Sequence, residues 1–286
     1  MGSAARILAV RDLLAAAMKR ILIAYDLTSS GARALERGLA LAALDHAGVR
    51  LVHVTDRRLP DAEQAVLIEE LRDIVETMML RHANVADISV EVATGDRATE
   101  IARAGEEFEA GLIVAGGHSA MRMRDGLFGT TVERLIRQTG RPVLVVRNDP
   151  LRRYRRMIAA IGGEEDVDET LALARLIPSV DEVLAVHAWL PSHRCRTGAS
   201  HETTKIERMI AKQAAASGLN DLHIHGAALR SDPMTAVMTA FEAIDADLLA
   251  IATHARSGFA LAWKDSFADL MLEQTSLDLL IRALPR

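Results

Sequence analysis

Short apolar runs alternate along this chain with longer stretches in which apolar residues recur every three or four positions. A short apolar run is typical of a strand buried in a parallel sheet, and the longer spacing is typical of an amphipathic helix. The alternation therefore predicts strands joined by right-handed helical crossovers, in a parallel sheet covered on both faces. In the first half the predicted strands are Ile21–Tyr25, Val49–Val54, Ile88–Val92, Leu112–Ala115 and Pro142–Val146. In the second half they are Met157–Ile161, Val183–His187, Leu222–His225, Leu248–Ile251 and Leu277–Ile281.

The chain contains one pattern twice, with an offset of 136 residues and no insertion between the copies. The pairs that obey this offset include His118 with His254, Thr130 with Ser266, and Asp96 with Asp232. A duplicated domain is the economical explanation of such a repeat. The sequence therefore predicts an α/β fold with two tandem, doubly wound, five-stranded parallel-sheet domains.

The repeat divides the 286 residues into two domains of ordinary size. Residues 1–18 are interpreted as an N-terminal extension, 19–148 as the first domain, 149–156 as a linker and 157–286 as the second domain. The junction is rich in arginine. A solvated linker is one interpretation of that charge, and an anion-binding patch is the other.

Composition narrows the class of protein. Half of the residues are hydrophobic but only 3% are aromatic, so the cores must be built from aliphatic side chains and methionine. A net charge of −5 provides no basic surface for nucleic acid. The single Cys195 cannot form an internal disulfide and favours a reducing cytoplasm. No apolar run approaches the roughly 20 residues that span a bilayer, so no membrane partner is expected.

Several short motifs together resemble the universal stress protein (UspA-like) family, and the whole chain resembles a tandem two-domain member. They are the opening Ile21-Leu-Ile-Ala-Tyr-Asp26, His53-Val54, Gly95-Asp96, Gly116-x-His118, Gly129-Thr130 and the closing Arg141-Pro-Val-Leu-Val-Val146. The resemblance implies strand order 3-2-1-4-5 in each domain. It also implies an intrachain pseudo-dimer that pairs the two domains through their fifth strands, with a homodimer as a further alternative.

The implied strand order places a crevice between the first and fourth strands, where ligands bind in open α/β sheets. Asp26 ends the first strand and Gly116 ends the fourth, so the two residues are expected to face each other across the crevice. Gly129 and Thr130 open the next helix, whose unpaired N–H groups suit a phosphate.

The resemblance implies ATP or another adenine nucleotide as the ligand in the first domain, with or without Mg. The implied contacts are Asp26, Val54, Ala115, Gly116, His118, Ser119, Gly129, Thr130 and Thr131. Ser119 departs from the family pattern, which has a glycine there. The alternatives are that Asp26 only caps a helix and that Gly129 only forms a turn.

The second domain has lost these features. Gly162 stands where Asp26 should be, and Asp265 stands where a glycine should lie beneath phosphates. Like charges in a partly dry crevice repel strongly. Ala252 and Ala255, the counterparts of Gly116 and Ser119, add methyl groups where the family pattern has the bare backbone of glycine. No nucleotide is expected in this domain, which would serve as a structural partner for the first.

Two hypotheses about function remain open. One is a stress or signalling protein that holds a nucleotide as a state-setting ligand, with at most slow ATP hydrolysis. The other is a nucleotide-free module that presents a surface to an unknown protein partner. The sequence places no acid–base pair for metabolic catalysis. His223 and His225 share a strand face and could bind a metal, but no third ligand is placed beside them.

Overall fold

The computed structural model describes residues 19–82, 84–117, 131–163, 166–190, 199–216, 219, 221–254 and 267–284. In the first half the elements are β1 (Arg20–Ala24), α1 (Ser29–Asp45), β2 (Gly48–Thr55), α2 (Asp61–Met79), β3 (Ile88–Thr94), α3 (Arg97–Glu107), β4 (Leu112–Gly116), α4 (Thr131–Gln138) and β5 (Val143–Val146). In the second half they are β6 (Arg156–Ile161), α5 (Val167–Ala172), β7 (Glu182–Ala188), α6 (Ala199–Ala216), β8 (His223–Leu229), α7 (Pro233–Ile244), β9 (Leu248–His254), α8 (Phe267–Gln274) and β10 (Asp278–Leu284). A 3₁₀ turn at Leu173–Leu176 follows α5.

Ten strands of the described part form one continuous sheet in the order β3-β2-β1-β4-β5-β10-β9-β6-β7-β8. Neighbouring strands are parallel within each half, and the predicted order 3-2-1-4-5 is confirmed in the first half. The two halves meet where β5 and β10 pair antiparallel. The predicted proximity of the two fifth strands is therefore confirmed, and the two five-stranded sheets are joined into one.

The register of this central pair reflects the repeat. Leu144 of β5 pairs with Leu280 of β10, and these two residues are separated by the same 136 positions that relate the two copies. A residue that pairs with its own counterpart lies on the axis of a two-fold arrangement. The approximate two-fold axis between the halves therefore passes through this leucine pair.

Local contacts also recur in both halves. Asp96 caps α3 by accepting a hydrogen bond from Thr99 N at 3.1 Å. The matching Asp232 caps α7 by accepting one from Thr235 N at 3.0 Å. A short polar side chain at the N-cap accepts a hydrogen bond from an N–H that has no partner within the helix. The equivalent helix therefore begins with an aspartate N-cap in both halves.

The sheet separates two apolar layers. Alternate residues of each strand contribute to opposite layers, as Ile23 and Leu22 do in β1. Both layers contain residues of both halves and consist mainly of leucine, isoleucine, valine and alanine. A sheet covered on both faces explains why its central strands are continuously apolar.

Most residues of the junction between the halves are exposed, as the interpretation as a solvated linker predicts, but one residue anchors the junction in the interface. Leu151 is exposed, but Tyr154 is only 2% exposed, and its hydroxyl donates a hydrogen bond to Asp278 of β10. Arg37 of α1 donates to the carbonyls of Asp149 and Arg152 and lies over the Tyr154 ring. The physical reason is that these polar groups satisfy one another inside the interface, which a charge pattern along the chain cannot indicate.

Among the described helices, none has the length and apolar character needed to cross a bilayer.

Candidate functional site

A cavity of about 720 Å³ opens at the carboxyl ends of β1, β2 and β4. The strand order reverses between β1 and β4, which is where ligands bind in open α/β sheets. Five of the residues predicted to contact a nucleotide line the cavity: Asp26, Val54, Ala115, Gly116 and Thr131. The other four, His118, Ser119, Gly129 and Thr130, lie outside the described residues.

Asp26 is exposed at the cavity and orders the start of α1. Its Oδ1 accepts hydrogen bonds from Thr28 N at 3.1 Å and from the Thr28 hydroxyl at 2.5 Å. Thr28, not Asp26, is the N-cap of α1, since its side chain accepts from Gly31 N at 3.2 Å. Asp26 therefore supports the cap of α1 by orienting Thr28.

The chain turns sharply directly after Asp26. Leu27 has φ of 60° in the left-handed region, and its side chain is 51% exposed. Residues with a Cβ pay about 1–2 kcal/mol in this conformation, and such strain is concentrated at functional sites. The strained turn lets the carboxylate of Asp26 and the cap residue Thr28 lie at the same edge of the sheet.

Gly116 ends β4 against the backbone of α1. A Cβ at this position would lie 2.5 Å from Ser30 O and 3.0 Å from Gly31 N. Real Cβ atoms do not approach backbone atoms that closely, so a glycine is required by packing whether or not a ligand is present. The sequence predicted this glycine for its proximity to phosphate; the structure adds the contact with the first turn of α1.

Gly116→Ala is expected to reduce the free energy of unfolding by about 1–3 kcal/mol, because the added methyl group must displace the backbone of α1. This loss exceeds the few tenths to 1 kcal/mol that alanine gains by restricting the unfolded chain. The matched control is Gly140→Ala, since a Cβ there has no neighbour within 4 Å. Urea unfolding of both variants checks the prediction, and equal midpoints would contradict it.

His53 lines the cavity, but its best-defined contact is structural. Its Nδ1 lies 2.8 Å from the carbonyl oxygen of Tyr25, and because a carbonyl only accepts, this nitrogen carries the proton. His187 of the second half makes the same bond to Ile161 O at 2.9 Å. Because this hydrogen bond is present in both halves, although the residues of their crevices differ, we interpret it as a structural link between neighbouring strands.

Further residues line the cavity without having been predicted as contacts: Tyr25, Arg57, Arg97, Glu133, Arg147 and Leu272. Arg147 follows β5 directly, so its place at the carboxyl edge of the sheet could have indicated it. Leu272 belongs to α8 in the second half, and no local pattern connects it to this cavity.

Charge in the cavity is mixed. Burial, together with the neighbouring Asp26 carboxylate, raises the pKa of Tyr25. Burial also lowers the pKa of the Arg147 guanidinium. Arg97, at the start of α3, forms an exposed ion pair with Asp56 at 2.9 Å. The exposed guanidinium of Arg97 provides attraction for an anionic ligand, although solvent screens such an exposed charge.

A carboxylate–guanidinium pair fixes the helix that begins at the cavity. Both oxygens of Asp96 accept from Arg134 of α4 at 2.8 Å. Hydrogen bonds from Arg134, and then from Thr99, lower the pKa of Asp96 to about 2. This bidentate pair ties the N-cap of α3 to α4, whose first residue, Thr131, lines the cavity.

At the corresponding edge of the second half, the residue types differ from those of the first half. Gly162, the counterpart of Asp26, is exposed after β6. Ala252 replaces Gly116 and is 6% exposed, whereas Ala255 and Asp265 lie outside the described residues. His223 and His225 are exposed on the edge strand β8. Within the described part of the chain, no group of three His, Cys, Asp or Glu side chains could hold a metal ion.

The fold and the cavity define a doubly wound α/β protein with a cavity at its switch point, where folds of this class bind ligands. A family model described as the universal stress protein family matches residues 18–147. The first half of this chain is therefore similar to a universal stress protein domain. No curated protein gives a significant match to the sequence.

Solved structures are similar over nearly the whole chain. A universal stress protein from Archaeoglobus fulgidus has a TM-score of 0.68 and 15% identity, covering 93% of this chain and 98% of that one. A Pseudomonas aeruginosa protein, provisionally assigned to the universal stress proteins, has a TM-score of 0.64 and 19% identity, covering 97% and 95%. At these identities the similarity establishes the fold.

One shorter relative was solved with a ligand. It is a universal stress protein in complex with cAMP, 20% identical, covering 45% of this chain and 95% of that chain with a TM-score of 0.37.

Proposed function

We propose that the first half binds ATP or another adenine nucleotide as a state-setting ligand. We further propose that the second half is a degenerate domain of the same family that serves as its structural pseudo-dimer partner. The observation that carries the proposal is the cavity at the switch point, which brings Asp26, Ala115, Gly116 and Thr131 together. Its volume of about 720 Å³ lies within the usual range for small-ligand sites.

The role proposed for each cavity residue follows from its place in the fold. Val54, next to the last residue of β2, is 8% exposed and would meet the adenine through its backbone. Asp26 would accept a hydrogen bond from the ligand. The first turn of α4 would direct N–H groups toward phosphate, because the start of a helix carries unpaired donors and a positive dipole end. Gly129 and Thr130 are proposed to complete this cradle, and slow hydrolysis is the most chemistry proposed here.

A nucleotide-free interaction module is the second candidate, and one observation favours it. Gly116 is required by its contact with Ser30, so its presence does not depend on a bound ligand. Ser119, in place of the family's glycine, favours the same candidate.

The experiment is a titration of the intact chain with ATP by calorimetry, together with analysis of nucleotide released by denaturing the purified protein. One equivalent of ATP is expected. Gly129→Asp, which copies the residue of the second half, is expected to abolish binding because its carboxylate would repel the phosphates. Gly140→Asp adds the same charge at an open position and should bind as the parent does.

Two equivalents of bound ATP would contradict the proposed asymmetry between the halves. Binding that survives Gly129→Asp in a folded protein would contradict the role of this loop. A chain that neither carries nor binds adenine nucleotide would support the interaction module instead.

A further inference from the structure

The second half contributes to the cavity of the first. Leu272 lies in the last turn of α8 and lines the cavity, although it is 156 residues beyond Gly116, which lines the same cavity. Its side chain is nearly buried, so its position is set by packing. A ligand in the cavity would therefore touch both halves of the chain.

Arg147 holds this end of α8. Its two terminal nitrogens donate to the carbonyl oxygens of Leu272 at 2.5 Å and Thr275 at 2.6 Å. The last carbonyls of a helix lack partners within the helix and form the negative end of its dipole. A guanidinium that bridges two of them fixes the last turn of the helix in place.

Arg147 is itself held from both sides. Its backbone N–H donates to Asp278 Oδ1 at 2.7 Å. Gly117 leaves room for its side chain, since a Cβ there would lie 2.7 Å from the Arg147 Cγ and 2.9 Å from its Nε. Among the described residues, no carboxylate lies within ion-pair distance of the guanidinium, which is consistent with a pKa that burial lowers. The carbonyls of α8 are therefore the anchor of this side chain.

The two-fold repeat does not generate this contact. The counterpart of Arg147 at the 136-residue offset is Ala283, which has no side-chain donor. On the related side of the interface, Arg282 instead contacts Gly140 O at 3.3 Å and Glu169 at 3.1 Å. Among the described residues, the bridge from Arg147 to α8 therefore has no equivalent at the related position of the second half.

We propose that both halves build the cavity as a ligand site. Arg147 acts as a latch that holds the last turn of α8 against the first half. This turn, which includes Leu272, then forms a wall of the site. Arg147 is a positioning residue, and the identity of the ligand rests on the proposed function above. Retention of the ligand then depends on the second half, although that half binds no nucleotide of its own.

The test uses the full chain with Arg147→Met, which keeps the apolar stem but removes the donors. Arg282→Met is the matched control from the same interface. Amide hydrogen exchange without ligand is expected to speed up about tenfold or more in the last turn of α8 in Arg147→Met only. Calorimetry is expected to show a dissociation constant for ATP about tenfold higher in the same variant. Arg147→Lys, which cannot bridge both carbonyls, should show part of each change.

Unchanged exchange in α8 of folded Arg147→Met, or of Arg147→Lys should the first variant not fold, would overturn the latch. Faster exchange with unchanged ATP affinity would overturn the claim that this turn is a wall of the site. A parent chain that binds no ATP would contradict the proposed function alone, and the exchange comparison would then decide the latch.

Discussion

Asp278→Ala is expected to reduce the free energy of unfolding by about 3–5 kcal/mol, the largest effect predicted for a single substitution here. Asp278 is fully buried and accepts hydrogen bonds from Arg147 N at 2.7 Å, Asn148 N at 2.8 Å and the Tyr154 hydroxyl. The guanidinium of Arg37 lies 3.9 Å from it. Alanine would leave two N–H donors and a hydroxyl without an acceptor, beside a buried cation that has lost its carboxylate.

Urea unfolding followed by circular dichroism measures this loss. Asp278→Asn keeps one carbonyl oxygen for the two N–H groups and is expected to be less destabilising than alanine. The control is Asp181→Ala, which removes an exposed ion pair with Arg155 and should leave the midpoint unchanged. A loss below about 1 kcal/mol for Asp278→Ala would mean that the buried network does not hold the halves together.

Removal of residues 150–286 is expected to leave a first half that self-associates or precipitates. The deletion uncovers the edge of β5, where Val143, Leu144 and Val145 pair with β10 in the intact chain. An unpaired apolar edge strand invites pairing with another copy. The deletion also removes the Arg152 carbonyl, to which buried Arg37 donates.

Size-exclusion chromatography with light scattering distinguishes the outcomes. Co-expression of residues 150–286 as a separate chain is the control, and it is expected to restore a soluble one-to-one complex by covering the same edge. A soluble, monomeric first half with the ATP affinity of the intact chain would contradict both the pairing role and the contribution of Leu272 to the cavity.

Hydrophobic patterning predicted most strands well because their burial is visible in each segment alone. The predicted Val49–Val54 lies within β2, Gly48–Thr55, and the predicted Leu112–Ala115 lies within β4, Leu112–Gly116. β9 and β10 extend three residues beyond their predicted ends, and the largest difference is at β8, predicted at Leu222–His225 and found at His223–Leu229. Its second part, Gly-Ala-Ala, is weakly hydrophobic, so pairing with β7 and not local preference extends the strand.

Some residues of the candidate site could also be predicted from the sequence, and others could not. Asp26 and Gly116 could be predicted to meet because each ends a strand at the edge where the order reverses. Arg147 was not predicted, although it directly follows the fifth strand, and no local pattern indicates Leu272. Both depend on how α8 packs beside β5, which involves residues more than a hundred positions apart.

The sequence by itself determined the strands, the duplication and the loss of acidic and glycine positions in the second copy, because these are properties of short segments and of their repetition. The tertiary structure alone decided that the two sheets merge across Leu144 and Leu280, that Asp278 accepts hydrogen bonds from a buried polar network, and that Leu272 of α8 lines the cavity of the other half. The physical reason is that periodicity reports only whether a residue is buried. Which partner buries it depends on how the two halves pack against each other.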